Sequence, residues 1–181
     1  MDIRNACLVL KTSDLQLNTS NQIGSCDPAR QNMTWNNINL RSVLGDLYDE
    51  YDYFNLSLYF ISTDTTNTIT ANPDKAVFMK IGGLPFSNQT YNVKNRSNGT
   101  LATLCTFSFS NTSVQQNFYG SNYLTFAKNQ EQVNINIQYT RLQDDVPYDL
   151  TGNNYYPNVT FIFHIFGVPK TSNKNATRME I

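Results

Sequence analysis

Residues 133–139 read VNINIQY, where apolar side chains alternate with amides at every second position. The same alternation runs through residues 54–61 (FNLSLYFI) and residues 159–165 (VTFIFHI). A period of two places successive side chains on opposite faces of a pleated strand, so each run buries one face and exposes the other. In residues 54–61, the alternation assigns Phe60 to the buried face and Ile61 to the exposed one. The pattern predicts a protein built from sheets.

Eight segments carry this strand pattern, and turn signals rich in Gly, Pro, Asn and Asp separate them. Asn98-Gly99 is the strongest hairpin signal among those turns. Because no strand alternates with a long helical pattern, we predict an all-β fold, an eight-stranded antiparallel jelly-roll sandwich. An immunoglobulin-like sandwich is the rival, but Trp35 lacks the flanking cysteines of that pattern. The predicted strands span residues 5–11, 32–38, 54–64, 75–82, 101–110, 122–128, 131–141 and 158–167.

One segment departs from the strand pattern and has apolar residues at helical spacing. We predict a single short amphipathic helix over about residues 40–51, with Asn39 as its N-cap. Its charges oppose the helix dipole, because Arg41 lies near the N-terminal end and carboxylates crowd the other end. Packing of the apolar stripe must therefore hold this helix. The carboxylates form an acidic cluster of Asp46, Asp49, Glu50 and Asp52.

Length and charge narrow the class of protein. The 181 residues predict one jelly-roll domain over residues 1–168, followed by a polar tail at residues 169–181. Charged residues make up 15% of the chain and the formal net charge is −1, so no electrostatic attraction draws it to nucleic acid. The first fourteen residues do not read as a signal peptide, and the cysteines show no pairing pattern. A reducing compartment is therefore expected.

Residues suited to catalysis or metal binding are scarce. His164 is the only histidine, and no GxSxG motif accompanies it, so we expect a strand histidine on the outer face. The three cysteines lack CxxC spacing, and Gly82-Gly83 is not followed by the helix and lysine of a phosphate loop. Neither the acidic cluster nor the group of Asp144, Asp145 and Asp149 matches a calcium-binding loop. We predict no catalytic, metal or cofactor site, and do not expect an enzyme.

Aromatic residues are abundant, with 11 Phe and 11 Tyr. The Phe residues fall mostly on the apolar faces of the predicted strands, whereas several Tyr residues fall in loops or at strand ends. Exposed tyrosine supplies a large amphipathic contact area at low entropic cost, which favours protein or sugar surfaces. Packing at the edges of the sandwich would account equally well for these positions. The candidate interface residues are Tyr91, Tyr119, Tyr123, Tyr155 and Tyr156.

Four stretches occur in a characteristic order: residues 34–58 (TWNNINLRSVLGDLYDEYDYFNLSL), 80–92 (KIGGLPFSNQTYN), 125–142 (TFAKNQEQVNINIQYTRL) and 161–167 (FIFHIFG). Together they resemble a family of minor capsid proteins of large icosahedral double-stranded DNA viruses, of the chlorovirus and mimivirus kind. The resemblance covers about residues 30–168. It implies a single jelly-roll subunit that cements major capsid protein trimers from the inner face of the shell, near the inner membrane.

The resemblance also implies the partners and the location. The major capsid protein and other minor capsid proteins would be partners, with a further copy of this chain as a dimer or trimer partner. The chain would be assembled in the host cytoplasm and end in the virion. A vertex (penton) protein is a close variant, because that role also uses a single jelly roll. A jelly-roll carbohydrate-binding module is a second class, in which loop aromatics such as Tyr155 and Tyr156 contact sugars.

Overall fold

The computed structural model describes residues 5–17, 24–26, 32–64, 76–86, 101–108, 115–117, 123–142 and 158–169. Within these ranges, all eight predicted strands are present, and three further strands of two or three residues accompany them. The strands are β1 (Asn5–Lys11), β2 (Gln16–Leu17), β3 (Gly24–Cys26), β4 (Asn32–Asn39), β5 (Tyr53–Asp64), β6 (Ala76–Gly82), β7 (Ala102–Ser108), β8 (Gln115–Asn117), β9 (Leu124–Ala127), β10 (Gln132–Arg141) and β11 (Asn158–Gly167). Two helices follow β4, namely α1 (Leu40–Leu44) and α2 (Leu47–Glu50).

The described strands form two sheets. Sheet A has the order β1-β11-β5, and both β8 and β9 pair with β5. Sheet B has the order β2-β3-β4-β10-β6-β7. Neighbouring strands are antiparallel except β2 and β3, whose short pairing is parallel. The first long strand thus lies beside the last, and β4 lies beside β10, an order consistent with the predicted jelly roll.

One hydrophobic core fills the space between the sheets. Phe161 of β11 is fully buried and reaches across from sheet A to two aromatic rings of sheet B. Its ring lies edge-on to Trp35 of β4, with centroids 6.0 Å apart, and 6.3 Å from the ring of Tyr139 in β10. Aromatic pairs at these separations add to the stability that burial alone supplies. Phe161 therefore joins both sheets at the centre of the core.

Two hydrogen bonds fasten the end of β1 to its surroundings. The indole N–H of Trp35 donates to the carbonyl of Lys11 at 3.2 Å, which ties sheet B to β1. The next residue, Thr12, is fully buried, and its Oγ1 accepts from the N–H of Val159 at 2.8 Å. A buried polar group needs such a partner, because leaving it unsatisfied costs about 1–3 kcal/mol. These bonds satisfy polar groups at the margin of the core.

A β-bulge in β5 overturns the predicted faces of Phe60 and Ile61. Phe60 pairs with Ile162 of β11, but the next pair toward the N-terminus of β5 is Leu58 with Phe163. Tyr59 is therefore an extra residue in β5, and the alternation of faces shifts by one position there. As a result Ile61 is fully buried, whereas Phe60 and Tyr59 both point outward. The sequence alternation assigned these two residues to the wrong faces.

The structure divides the predicted helix at residues 40–51 into two. Asn39 is confirmed as the N-cap of α1, since its Oδ1 accepts from the N–H of Ser42 at 2.8 Å. Gly45 then ends α1 with a φ of +55°, in the left-handed region that glycine adopts readily. Because α2 begins after Asp46, the carboxylates Asp49 and Glu50 now lie in a first turn. Since α2 is a single turn of four residues, these carboxylates no longer stand at the C-terminal end of one long helix.

The contact of Phe161 with both sheets generates a stability prediction. Changing Phe161 to Ala should lower the free energy of unfolding by about 3–5 kcal/mol, because a large aromatic cavity opens between the sheets. Phe166 lies in the same strand but faces outward, so Phe166→Ala is the matched control and should cost far less. Denaturant unfolding of the two variants measures the difference. Equal losses would contradict the placement of Phe161 at the centre of the core.

The bulge generates a second prediction, on two adjacent residues. Ile61→Ala should lower the free energy of unfolding by about 2–5 kcal/mol because Ile61 is fully buried. Phe60→Ala should cost less, although it removes a larger side chain, because Phe60 is partly exposed on the outer face. Without a bulge this order would be reversed. Chemical denaturation of both variants therefore reads out the register of β5.

Candidate functional site

The outward faces of the two sheets differ in chemistry. Along β4 and β10, sheet B presents amide and hydroxyl side chains that bond to one another. Asn136 donates through Nδ2 to Oγ1 of Thr34 at 2.8 Å. Asn134 accepts through Oδ1 from the backbone N–H of Asn37 at 2.9 Å, and Asn37 is a non-glycine residue with positive φ. These asparagines therefore hold an irregular stretch of the β4–β10 pairing together.

The same stretch of β10 explains why a glycine occupies position 83. Its φ is +90°, and a Cβ atom placed there would lie 1.6 Å from the carbonyl oxygen of Asn134. Only glycine permits so close an approach of two backbones. The Gly82-Gly83 pair therefore serves the turn after β6.

Sheet A has an outward face of a different kind, which we name the aromatic face. Apolar and aromatic side chains lie there on neighbouring strands, in rows set by the strand register. Val9 of β1, Ile162 of β11 and Phe60 of β5 form one such row. Val9 is 48% exposed and Tyr59 37% exposed, although both are large hydrophobic residues. The aromatic face consists of Val9, Tyr53, Tyr59, Phe60, Ile162, His164 and Phe166.

His164 faces outward from β11, as expected from the sequence. It lies at the centre of the aromatic face. Its ring stacks on Tyr59 with centroids 4.1 Å apart and planes 11° from parallel. The ring of Phe166 meets it edge-on at 5.9 Å. In the strand register, Cys7 of β1 and Ser57 of β5 flank it on either side. The face thus combines a cluster of aromatic rings with a single imidazole.

The aromatic face is also nearly free of charge. The outward residues of β1, of β11 from Thr160 to Phe166, and of β5 from Tyr53 to Ser62 include no carboxylate. Lys11, at the end of β1, is the only lysine or arginine among them. Contiguous exposed apolar surface of this kind is typical of protein interaction sites. The arrangement suits the burial of an uncharged partner surface.

Of the five candidate interface tyrosines, only Tyr123 belongs to the described residues. It immediately precedes β9 and is 51% exposed. Because Thr125, two residues on, faces outward and bonds to Asn55 of β5, the alternation of β9 places Tyr123 on the same outward side. Tyr123 therefore adjoins the aromatic face, and its role in an interface stays a prediction. Tyr91, Tyr119, Tyr155 and Tyr156 lie outside the described residues, as do Asn98-Gly99 and the tail from residue 170.

The main residues of the aromatic face were not among the predicted interface residues. One signal could have found them: residues 161–166 read FIFHIF, where both alternating sets are mostly apolar. A strand with one wet face ordinarily carries polar residues on that face. Ile162 and Phe166 break this rule on the outward side. Nothing in the sequence indicated that Tyr59 and Phe60 both lie on the aromatic face, because that placement depends on the bulge in β5.

One carboxylate of the acidic cluster, Asp49, forms an ion pair beside the two helices. Arg41 forms an ion pair with Asp49, with Nη1 and Oδ2 2.9 Å apart, and lies over the ring of Tyr48 at 4.6 Å. Lys128 also lies over this ring at 4.8 Å and donates to the backbone carbonyl of Tyr48. Both cations and the carboxylate are exposed or partly exposed, so each pair contributes little energy. Together they hold α2 against the segment before β10.

The described ranges do not bring metal-ligating side chains together. Within them, no group of three or more His, Cys, Asp or Glu side chains is placed to hold a metal ion. Asp144, Asp145 and Asp149 lie outside those ranges. No helix in the described part of the chain has the length and apolar character needed to cross a bilayer.

The cysteines give a direct test of which surface is open. Cys7 is exposed beside His164, whereas Cys105 is buried, and burial raises the pKa of the Cys105 thiol to about 12. Maleimide should therefore modify Cys7 in the native protein and leave Cys105 unmodified, because a buried protonated thiol is unreactive. Both should react in denaturant. Peptide mass spectrometry measures the two sites separately, and equal native labelling would contradict the exposed position of the aromatic face.

The function of this chain must be argued from its fold and its surface chemistry, because comparison with known proteins identifies no relative of known function. No protein-family model matches the chain, and no curated protein matches it.

Proposed function

We propose that this chain is a structural minor capsid protein of a large icosahedral DNA virus, which cements major capsid protein trimers from the inner face of the shell. The observation that carries the proposal is the aromatic face, an exposed apolar surface on a β-sandwich. The resemblance of residues about 30–168 to minor capsid proteins supports the choice of partner. Other minor capsid proteins and further copies of the chain would be neighbours in the same lattice.

The dimensions of the aromatic face favour a contact that is weak alone and repeated many times. Three strands spaced about 4.8 Å apart, over about seven residues, cover on the order of 330 Å². A stable interface usually buries about 800 Å² on each partner. One such face therefore gives modest affinity, whereas many copies bound to one shell gain strength by multivalency. A face of this size suits a lattice component better than a tight, isolated dimer.

A charge placed on the aromatic face tests the proposal. Val9→Asp introduces a carboxylate at an exposed position of an edge strand, so the fold should tolerate it while the contact loses about tenfold in affinity or more. Thr106→Asp is the matched control, because Thr106 is exposed on β7 at the edge of sheet B. Tagged variants expressed during infection are compared by their ratio to major capsid protein in purified particles. We expect depletion of the Val9 variant and wild-type incorporation of the control.

Particle fractionation supplies the outcomes that would count against the proposal. The wild-type chain should stay with capsids after gentle detergent and nuclease treatment. Recovery only as free cytosolic protein would contradict a structural role, as would equal incorporation of the two variants. Location at fivefold vertices would favour the penton variant. Glycan-array binding that is lost in Tyr155→Ala or Tyr156→Ala would favour a carbohydrate-binding module instead.

A further inference from the structure

The outer edge of β1 is the longest regular strand edge in the described part of the chain. β1 pairs with β11 over all seven of its residues without a register shift, and no described strand pairs with its other side. The other edge strands are short or irregular: β2, β8 and β9 have two, three and four residues, and the β6–β7 pairing contains a register shift. α1 also lies against β1, with Leu40 and Leu44 buried in the core. Proteins usually shorten, bulge or charge an edge because its backbone groups recruit other strands, but β1 carries only Lys11, at its last position.

Two hydrogen bonds at the end of β1 indicate which backbone groups point to this edge. The carbonyl of Lys11 accepts from the indole N–H of Trp35 in sheet B. One position along, the N–H of Val159 in β11 points toward β1 and donates to Oγ1 of Thr12. An antiparallel residue directs its N–H and C=O to one side, and successive residues alternate, so Lys11 directs its groups away from β11. The other residues of β1 that direct both groups to the outer edge are therefore Asn5, Cys7 and Val9.

The sequence of β1 is complementary to itself in the reverse direction. A two-fold axis at Leu8, the midpoint of β1, pairs all seven residues with the same strand of a second copy. Cys7 then lies opposite Val9 of the second copy, and each such pair exchanges two backbone hydrogen bonds. On the inner side, Leu8 meets its own counterpart and Ala6 meets Leu10, all of them buried apolar residues. The apolar layer of one copy therefore continues into the other.

Charge also favours a second copy as the occupant of this edge. In the same register Lys11 lies opposite Asn5, so the one charged side chain of β1 does not face its own counterpart. The formal net charge of −1 leaves little long-range repulsion between two chains. An edge with exposed backbone groups, self-complementary side chains and no opposed charges fits a second copy of the same strand.

We infer that two copies of this chain pair through the outer edges of their β1 strands, antiparallel and around a two-fold axis at Leu8. The two A sheets then form one continuous sheet, and their aromatic faces lie side by side with a combined area of about 660 Å². The pairing does not depend on the proposed function, because it follows from the backbone groups and side chains of β1. It adds a defined contact between copies to the lattice proposed above.

Sedimentation of the purified full-length chain tests the pairing. A concentration series should show a reversible monomer–dimer equilibrium. Val9→Pro removes an N–H that faces the edge and keeps an apolar side chain, so the dimer dissociation constant should rise by about tenfold or more. Val9→Ala is the matched control, because it shortens the side chain and keeps the N–H, and it should change the constant far less. Circular dichroism checks that both variants keep the strand spectrum.

An introduced thiol reads the register without the use of proline. The Cα atoms of a hydrogen-bonded antiparallel pair lie about 5.5 Å apart, within the range that a disulfide spans. In Val9→Cys the new thiol lies opposite Cys7 of the second copy, so oxidised glutathione should link the two chains. The Cys7 residues of the two copies lie on a diagonal, with Cβ atoms about 7–8 Å apart, so the wild type should stay unlinked. Thr106→Cys, with the same number of cysteines, is the matched control and should also stay unlinked.

The outcomes decide between this contact and others. A chain that stays monomeric, and in which Val9→Cys gives no more linked dimer than Thr106→Cys, refutes the pairing. A dimer that survives Val9→Pro but is lost in Val9→Asp would lie on the aromatic face, which also refutes it. If Val9→Pro loses the strand spectrum, the linkage of Val9→Cys decides alone. Failure here leaves the proposed function standing, since incorporation into particles tests that function separately.

Discussion

The packing of Phe161 between the two sheets is the contact on which the rest of this structure depends. It lies in β11, between β1 and β5 in sheet A, and touches Trp35 and Tyr139 of sheet B. A sheet with one apolar face must bury that face against another layer, so these aromatic contacts set the two sheets against each other. Trp35 and Thr12 then satisfy polar groups at the margin of the core. Once the inner face of β11 is committed to the core, its other face must point outward.

The outward face gains its character from one irregularity. The bulge in β5 turns both Tyr59 and Phe60 outward, beside His164 and Ile162. A regular strand would have hidden Phe60 and exposed Ile61, which would leave one aromatic ring fewer on the surface. Bulges are often found where a side chain must be aimed at a functional surface. The register shift in β5 therefore has two effects. It buries Ile61 in the core, and it places Tyr59 and Phe60 together on the proposed docking surface. On sheet B, the asparagines are engaged in bonds along β4 and β10 instead.

Local patterns accounted for most of the architecture and for less of the candidate site. The eight predicted strands could be found because alternation is a local property, and Asn39 was predictable as a cap because its residue type and position suffice. The break at Gly45 was missed because a helical apolar stripe continues across it. The short strands β2, β3 and β8 have too few residues to show a period. The proposed surface was missed because tyrosines in loops and at strand ends were favoured over the apolar residues on the outward face of residues 161–166.

The sequence by itself determined the all-β class, the strand positions, the N-cap at Asn39 and the outward position of His164. Each of these follows from residue type and from spacing along the chain, without knowledge of any neighbour. Only the tertiary structure decided which strands pair, where β5 bulges, and which rings gather around His164. Those features arise from register between strands far apart in sequence, and a shift of one residue exchanges the two faces of a strand. For that reason most of the buried set could be read from the chain, except at Phe60 and Ile61, whereas the gathering of aromatic rings on the outer surface could not.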